Sequence, residues 1–285
     1  ALGLSQEEVD AKIAQLKAEA GAYNEAIDNQ INEVDPTKEV RKMSLLEVNA
    51  RYALAYDKFI EKYGYDAIAV SCWPKFQDDY LFSVCAVVGE INDKGVVCGC
   101  EGDLTSTVSQ LLLSYIAEDI TMLMDLSAMD ENDNSIMMWH CGPAAKRFCE
   151  KKGYSYSLNY SGKDHEGRDL DHAVGTGITR DMVFDDDVYT IARLTGESNK
   201  MFLASGVMQD GSKASYNGSR GWLGQLKLNR KDISALDFFN TIMVHGFQHH
   251  FPMVKGDYTE EVMEVMAWLG LEGLEAVPYE NYLQR

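Results

Sequence analysis

The chain has 285 residues, 46% of them hydrophobic, and a formal net charge of −19. That length suits one large domain or two ordinary ones, with enough apolar residues for a globular core. The acidic balance argues against nucleic acid or an anionic membrane as a main partner, and no run of about 18 apolar residues exists to span a bilayer. The charge reads first as a solvated surface and second as affinity for cations.

The N-terminus, "ALGLSQEEVDAK", lacks the basic start and apolar stretch of a signal peptide, and the first residue is Ala rather than Met. Cys72, Cys85, Cys98, Cys100, Cys141 and Cys149 sit in apolar runs and form no CxxC pair. They read as reduced thiols of a cytoplasmic protein.

Residues 5–32 are expected to form a helix. Ser5 and Glu8 make a capping box, and Val9, Ile13, Leu16, Ala20, Tyr23, Ile27 and Ile31 recur at helical steps. After Pro36 a second helix is expected from about 38 to 63, completing a helical N-terminal segment over 1–63 that packs on the next domain. Strands and helices then alternate. "YDAIAVSCWP" (65–74), "GVVCGC" (95–100), "ITMLMDL" (120–126) and "SIMMWHC" (135–141) read as strands. Helices are expected over 77–91, 104–119 and 143–153. This alternation predicts an open α/β sheet over 64–153. From Tyr154 to about Leu228, short β-like runs are separated by Gly, Asn and Asp. They predict an antiparallel sandwich or barrel, which with helices at 232–246 and 259–270 makes up residues 154–285.

The chemistry concentrates at strand ends. Glu101 follows "VVCGC", Asp125 lies near the end of "ITMLMDL", and His140 ends the next strand in "MMWHCG". In an open α/β sheet that edge binds ligands. Carboxylates with imidazole suit a hard divalent cation: Mn²⁺, and less uniquely Mg²⁺, Fe²⁺ or Co²⁺. Plainer readings compete. Asp103 is the better cap for the helix at 104, and a histidine beside Trp139 is often a core residue. His249 and His250 are adjacent on an extended run, so at most one faces a shared site. His245 reads as a cation at a helix end, and His165 and His172 lie in a polar loop. "GTGITR" (175–180) lacks the last glycine of a dinucleotide fingerprint, and "DENDNS" (130–135) lacks the glycine and distal Glu of a calcium loop.

"SCWP", "CGCEGD", Asp125, "WHCG", "HHFPMVKGD" and "EVMAWLGLE", in that order, resemble the L-fucose isomerase-like family, related to L-arabinose isomerase; the likeness covers roughly residues 65–275. The resemblance implies a divalent-metal-dependent aldose–ketose isomerase that moves a proton between C1 and C2 of an open-chain sugar through a cis-enediol. It implies Mn²⁺ held by Glu101, Asp125 and His250, the last because it stands six residues before Gly256, with His140 as a further ligand. Glu101 and Asp125 are the implied acid–base pair, and Trp73, with Lys75, the implied sugar contact. The implied fold is a Rossmann-like open α/β domain followed by an antiparallel β domain. The implied assembly is a homo-oligomer, a hexamer when full length. The front of the chain departs from the family: nothing corresponds to its additional N-terminal domain. Two alternatives therefore stand beside the isomerase: a non-catalytic or truncated sugar-binding fragment, and a related metal-dependent sugar epimerase or lyase.

Overall fold

The structure, a computed structural model, describes residues 3–20, 43–80, 82–159, 177–196 and 199–280. The loop carrying His165 and His172, and the parts of the two expected N-terminal helices within 21–42, lie outside the described residues.

Helix α1 (Gln6–Glu19) starts on the expected capping box: the Ser5 N–H donates to Glu8 Oε2 (2.7 Å) and the Glu8 N–H to Ser5 Oγ (3.2 Å). Helix α2 (Leu45–Tyr63) is capped by Ser44 and closed by Gly64 at φ 65°, a left-handed conformation that glycine adopts without strain. A buried ion pair between Lys12 and Glu90 (2.6 Å), with Asn49 donating to the same carboxylate (3.0 Å), ties α1 and α2 to the segment beyond.

Strands β1 (Ala67–Ala69) and β2 (Val97–Gly99) pair in parallel. Between them run a π-type turn (Cys72–Phe76), a short helix α3 (Gln77–Tyr80) and helix α4 (Cys85–Asp93). Helix α5 (Leu104–Ala117) follows β2. The Asn92 side chain, at the end of α4, accepts the Cys98 N–H (2.8 Å) and donates to the Cys98 carbonyl (3.1 Å). Gln110 of α5 bridges Asn92 Oδ1 and the Thr121 carbonyl, both at 3.2 Å. This buried polar network fixes β2, and with it Glu101, against α5.

The remaining strands pair antiparallel, except that Gly177–Val183 runs parallel to Ser219–Leu228 and Glu272–Gly273 parallel to Lys200–Met208. Strands β3 (Thr121–Asp130), β4 (Ser135–His140), β7 (Val188–Leu194), β8 (Lys200–Met208), β9 (Ser219–Leu228) and β11 (His250–Lys255) close a six-stranded barrel in the order β8-β7-β11-β3-β4-β9, with β9 returning to β8. Strands β5 (Tyr154–Asn159) and β6 (Gly177–Val183) extend the sheet from β9, while β10 (Lys231–Asp232) and β12 (Glu272–Gly273) are short edge pairs. Helices α6 (Ala235–Val244) and α7 (Thr259–Leu269) fall where the periodicity predicts them. At the start of α7 Asp257 accepts the Thr259 N–H (3.1 Å), while the N-cap residue, Tyr258, makes no side-chain cap bond.

The antiparallel barrel is as expected, but two strands assigned to the open α/β sheet belong to it. β3 and β4 form a hairpin across the turn at 131–134. A parallel pair needs a crossover of about a dozen residues, which that turn cannot supply. The described parallel sheet has only β1 and β2, and the barrel draws strands from both sides of residue 153. The helix expected over 143–153 is a single 3₁₀ turn at Lys146–Phe148. Among the described residues, no helix is long and apolar enough to cross a membrane.

Alternation along β11 sets its two faces. Phe251 and Met253 join the main core with Phe202 and Phe238. Val254 joins a second cluster with Leu113 and Ala117 of α5 and Val262 and Met266 of α7. His250 shares the parity of Val254 and is turned toward α5.

Asn92→Ala removes the partners of the buried Cys98 amide, and each orphaned group costs about 1–3 kcal/mol. We expect the urea midpoint to fall with an unchanged m-value, by an amount equivalent to about 2–4 kcal/mol. A change below about 0.5 kcal/mol would contradict the bracing role.

Candidate metal centre

β3 and β11 pair with His250 directly opposite Asp125. Opposed residues of an antiparallel pair project to the same face, so the register alone brings this acid and this imidazole together. Asp125 Oδ1 lies 3.5 Å from His250 Nε2. His140, the last residue of β4, stacks its ring on His250 with centroids 5.7 Å apart and planes at 12°.

Glu101 arrives from the other side, on the turn between β2 and α5. Glu101 and Gly102 both have positive φ, 57° and 69°. For glutamate that conformation is strained, and such strain clusters at functional sites. The turn is held by the Gly102 N–H on the Val70 carbonyl (3.0 Å) and the Glu101 N–H on Cys72 Sγ (3.3 Å). It places Glu101 Oε2 3.8 Å from His250 Nε2 and 3.7 Å from His249 Nε2.

Asp103 caps α5 as expected, accepting from the Ser106 N–H (2.9 Å) and hydroxyl (2.7 Å). The same carboxylate lies 3.1 Å from His250 Nδ1. Burial opposes its charge, yet His250, the Ser106 donors and Arg193 hold its carboxyl well below the usual range. An ionised carboxylate only accepts, so Nδ1 of His250 carries the ring hydrogen and Nε2 keeps a lone pair facing Asp125 and Glu101. Arg193, 4% exposed, spans the back of the site. It donates to the Gln248 carbonyl (3.2 Å), to Gln248 Oε1 (2.8 Å) and to the His250 carbonyl, and sits 3.6 Å from Asp103.

The sequence-predicted residues Glu101, Asp125, His140 and His250 are thus brought together. The ligand-capable atoms of Asp125, His140 and His250 lie within 4.8 Å of one another, as do those of Glu101, His249 and His250. His249 corrects the expectation that only one of the adjacent histidines faces the site: its Nε2 is also 3.8 Å from Asp125 Oδ1. It precedes the first residue of β11, so strand alternation does not govern it. Arg193 was missed too, although an arginine inside the apolar run "YTIARL" was a signal. Trp73 is 42% exposed on the turn after β1, next to Cys72, which receives the Glu101 N–H. The Lys75 side chain lies outside the described residues.

The donor set fits a cation. Asp125 Oδ1, His140 Nε2 and His250 Nε2 are buried with no hydrogen-bond partner. Each orphan costs about 1–3 kcal/mol unless something occupies the space between them. The carboxylate–imidazole separations of 3.5–3.8 Å are too long for hydrogen bonds. They approach the spacing of roughly 3–3.5 Å between two ligands of one first-row ion. The charge balance agrees. The neighbouring His249 holds Glu101 below its ordinary range against burial, and Glu101 in turn raises His249. Burial opposes charge on His140, but the Asp125 carboxylate, with Cys141 beside the ring, pushes its imidazole up to about 10. A cation beside Asp125 removes that upward pull.

Fold and donor set define a carboxylate–imidazole cluster on the rim of an antiparallel barrel, made of donor types that a divalent ion takes. Curated proteins named sulfoquinovose isomerase resemble the chain. Those from Priestia aryabhattai and Priestia megaterium are each 27% identical over 226 residues, 78% of this chain and 47% of the relative. That from Alkalicoccus urumqiensis is 24% identical over 222 residues, 76% of this chain and 45% of the relative. The chain spans about half the length of the curated relatives it matches. No family model matches it.

Arg193→Met leaves two carbonyls without a donor and Asp103 without its nearby cation. We expect a stability loss of about 3 kcal/mol by denaturant unfolding, not restored by Lys, which lacks the planar fork. A loss below about 1 kcal/mol would show that Arg193 does not organise the segment.

Proposed function

We propose that the chain carries the reaction centre of a divalent-metal-dependent aldose–ketose isomerase, acting on a sugar of the sulfoquinovose class. The observation that carries the reading is the approach of Glu101 and Asp125 to the same His250 nitrogen, Nε2, at 3.8 and 3.5 Å, with Asp125 Oδ1 and His250 Nε2 buried and unpartnered. The names of the relatives supply the reaction and the first sugar to test.

Glu101, Asp125 and His250 are the residues to hold the ion, Mn²⁺ first, with Mg²⁺, Fe²⁺ or Co²⁺ as substitutes. When bound, the ion polarises a carbonyl and stabilises negative charge developing on the sugar oxygens. The chain's own groups move the protons. One carboxylate takes the proton from C2 of the aldose and delivers it to C1, while the second shifts the hydroxyl proton from O2 to O1, so the cis-enediol lies between two isomers of equal composition. Each carboxylate has two oxygens, so a group can face the ion and the sugar together. Asp103 keeps His250 in the tautomer this requires. Trp73, half exposed beside the Glu101 turn, is a candidate wall for the sugar.

The reading includes homo-oligomeric assembly. In support, Leu104, Val108 and Tyr115 of α5 and Met263 and Trp268 of α7 are exposed, Trp268 at 84%.

Glu101→Gln and Asp125→Asn should leave far-UV circular dichroism unchanged and lower turnover by about 10²–10⁴-fold each, measured by NMR of the interconverting sugar. Wild-type rates in both would overturn the assignment. Mn²⁺ binding to the native state alone raises stability by about 2.7 kcal/mol at a hundred times Kd. The melting temperature should therefore climb with Mn²⁺, and His250→Gln should abolish the climb. A flat profile for the wild-type chain would contradict the metal centre.

A further inference from the structure

His140 and His250 stack in parallel beside Asp125, yet their opposite ring nitrogens meet opposite partners. His250 Nδ1 faces the Asp103 carboxylate, which can only accept. His140 Nδ1 instead receives the backbone N–H of Cys141 at 2.8 Å. A backbone amide has no lone pair to offer and cannot reverse its role. A hydrogen on Nδ1 of His140 would set two N–H groups head to head at that distance. The Cys141 thiol, 3.2 Å from the same nitrogen and 3.0 Å from Cys85 Sγ, can rotate its hydrogen either way and imposes nothing. The neutral ring of His140 therefore has its hydrogen on Nε2, the buried atom without a partner that belongs to the Asp125 cluster. A nitrogen bearing hydrogen has no lone pair for an ion.

We propose that His140 is not a metal ligand but a positioning residue: it turns an Nε2–H into the cluster, within 4.8 Å of Asp125, as a donor for oxygens that gather there, beside a ligand set of Glu101, Asp125 and His250. This replaces the ligand role that the family resemblance gives to His140. The inference rests on the metal centre proposed above, and it deepens that reading by dividing the two stacked histidines into one lone pair and one donor.

Two measurements decide it. In the metal-free chain, held above the raised titration of the His140 ring so that the ring is read neutral, nitrogen-15 NMR of labelled histidine reads each tautomer from its ring-nitrogen shifts and couplings, with His140→Gln assigning the signal. We expect Nε2–H at His140 and Nδ1–H at His250; Nδ1–H at His140 overturns the proposal. This reading needs neither metal nor activity and uses the wild-type fold. In the second, Mn²⁺ titrations compare His140→Gln with His250→Gln. Gln at 140 keeps an N–H near the position of Nε2, so Mn²⁺ affinity should stay within about threefold of wild type, whereas at 250 it should fall more than about a hundredfold. Equal loss in both variants makes His140 a ligand and overturns the proposal. His140→Leu should retain Mn²⁺ and lose kcat more than KM, with Gln recovering part of kcat; recovery by Gln and Leu alike would show a merely space-filling role. If the wild-type chain takes up no Mn²⁺, the metal centre fails, and the tautomer spectrum still decides whether His140 is a donor.

Discussion

The register of β3 against β11 is the constraint on which the site depends. His250 opposes Asp125, and the next pairs set Phe251 against Met124 and Met253 against Met122. Because side chains alternate, a slip by one residue would send His250 into the main core and bring Phe251 to the face beneath α5. The apolar residues that fill both faces therefore enforce the meeting of an acid and an imidazole separated by most of the barrel's sequence. The burial of Phe251 and Met253 holds that geometry before any ligand arrives.

The barrel alone does not complete the cluster. Glu101 comes from the β2–α5 turn, where two consecutive residues with positive φ aim the carboxylate at His250. Asp103, two residues on, starts α5 and accepts from the outer nitrogen of His250. One short turn thus supplies a site carboxylate, a helix cap and the orientation of a histidine. Arg193 closes the arrangement from behind by holding the 248–250 backbone beside Asp103. The buried side of the site has a fixed cation and the open side has converging negative charge. A divalent ion at that point would relieve both the repulsion and the unpartnered nitrogen and oxygen atoms.

The local features were legible in the sequence. The Ser5–Glu8 box and the Asp103 cap are short-range signals whose partners lie within one turn, and both occur. Strands 120–126 and 135–141 were also legible as strands, but their partners were not. An apolar run buried on both faces reads alike in a parallel sheet and in a closed barrel, and the polar turn between them was the neglected sign of a hairpin. The site divides in the same way. Glu101 and Asp125 stood out as carboxylates at strand ends, whereas His250 came from the resemblance, because sequence order cannot say which strands become neighbours. Alternation admits only one of His249 and His250 and leaves open which, and the rule holds only inside a strand, which His249 precedes. The bond from Asp103 to His250 spans more than half the chain, and no local pattern announces it.

The most direct test of the account is an anomalous-difference map, recorded at the manganese edge from crystals of the chain equilibrated with Mn²⁺. The account predicts one strong peak within about 2.0–2.4 Å of Asp125 Oδ1, His250 Nε2 and a Glu101 oxygen. A well-ordered site with those three side chains in place and no peak between them, at saturating Mn²⁺, would contradict it.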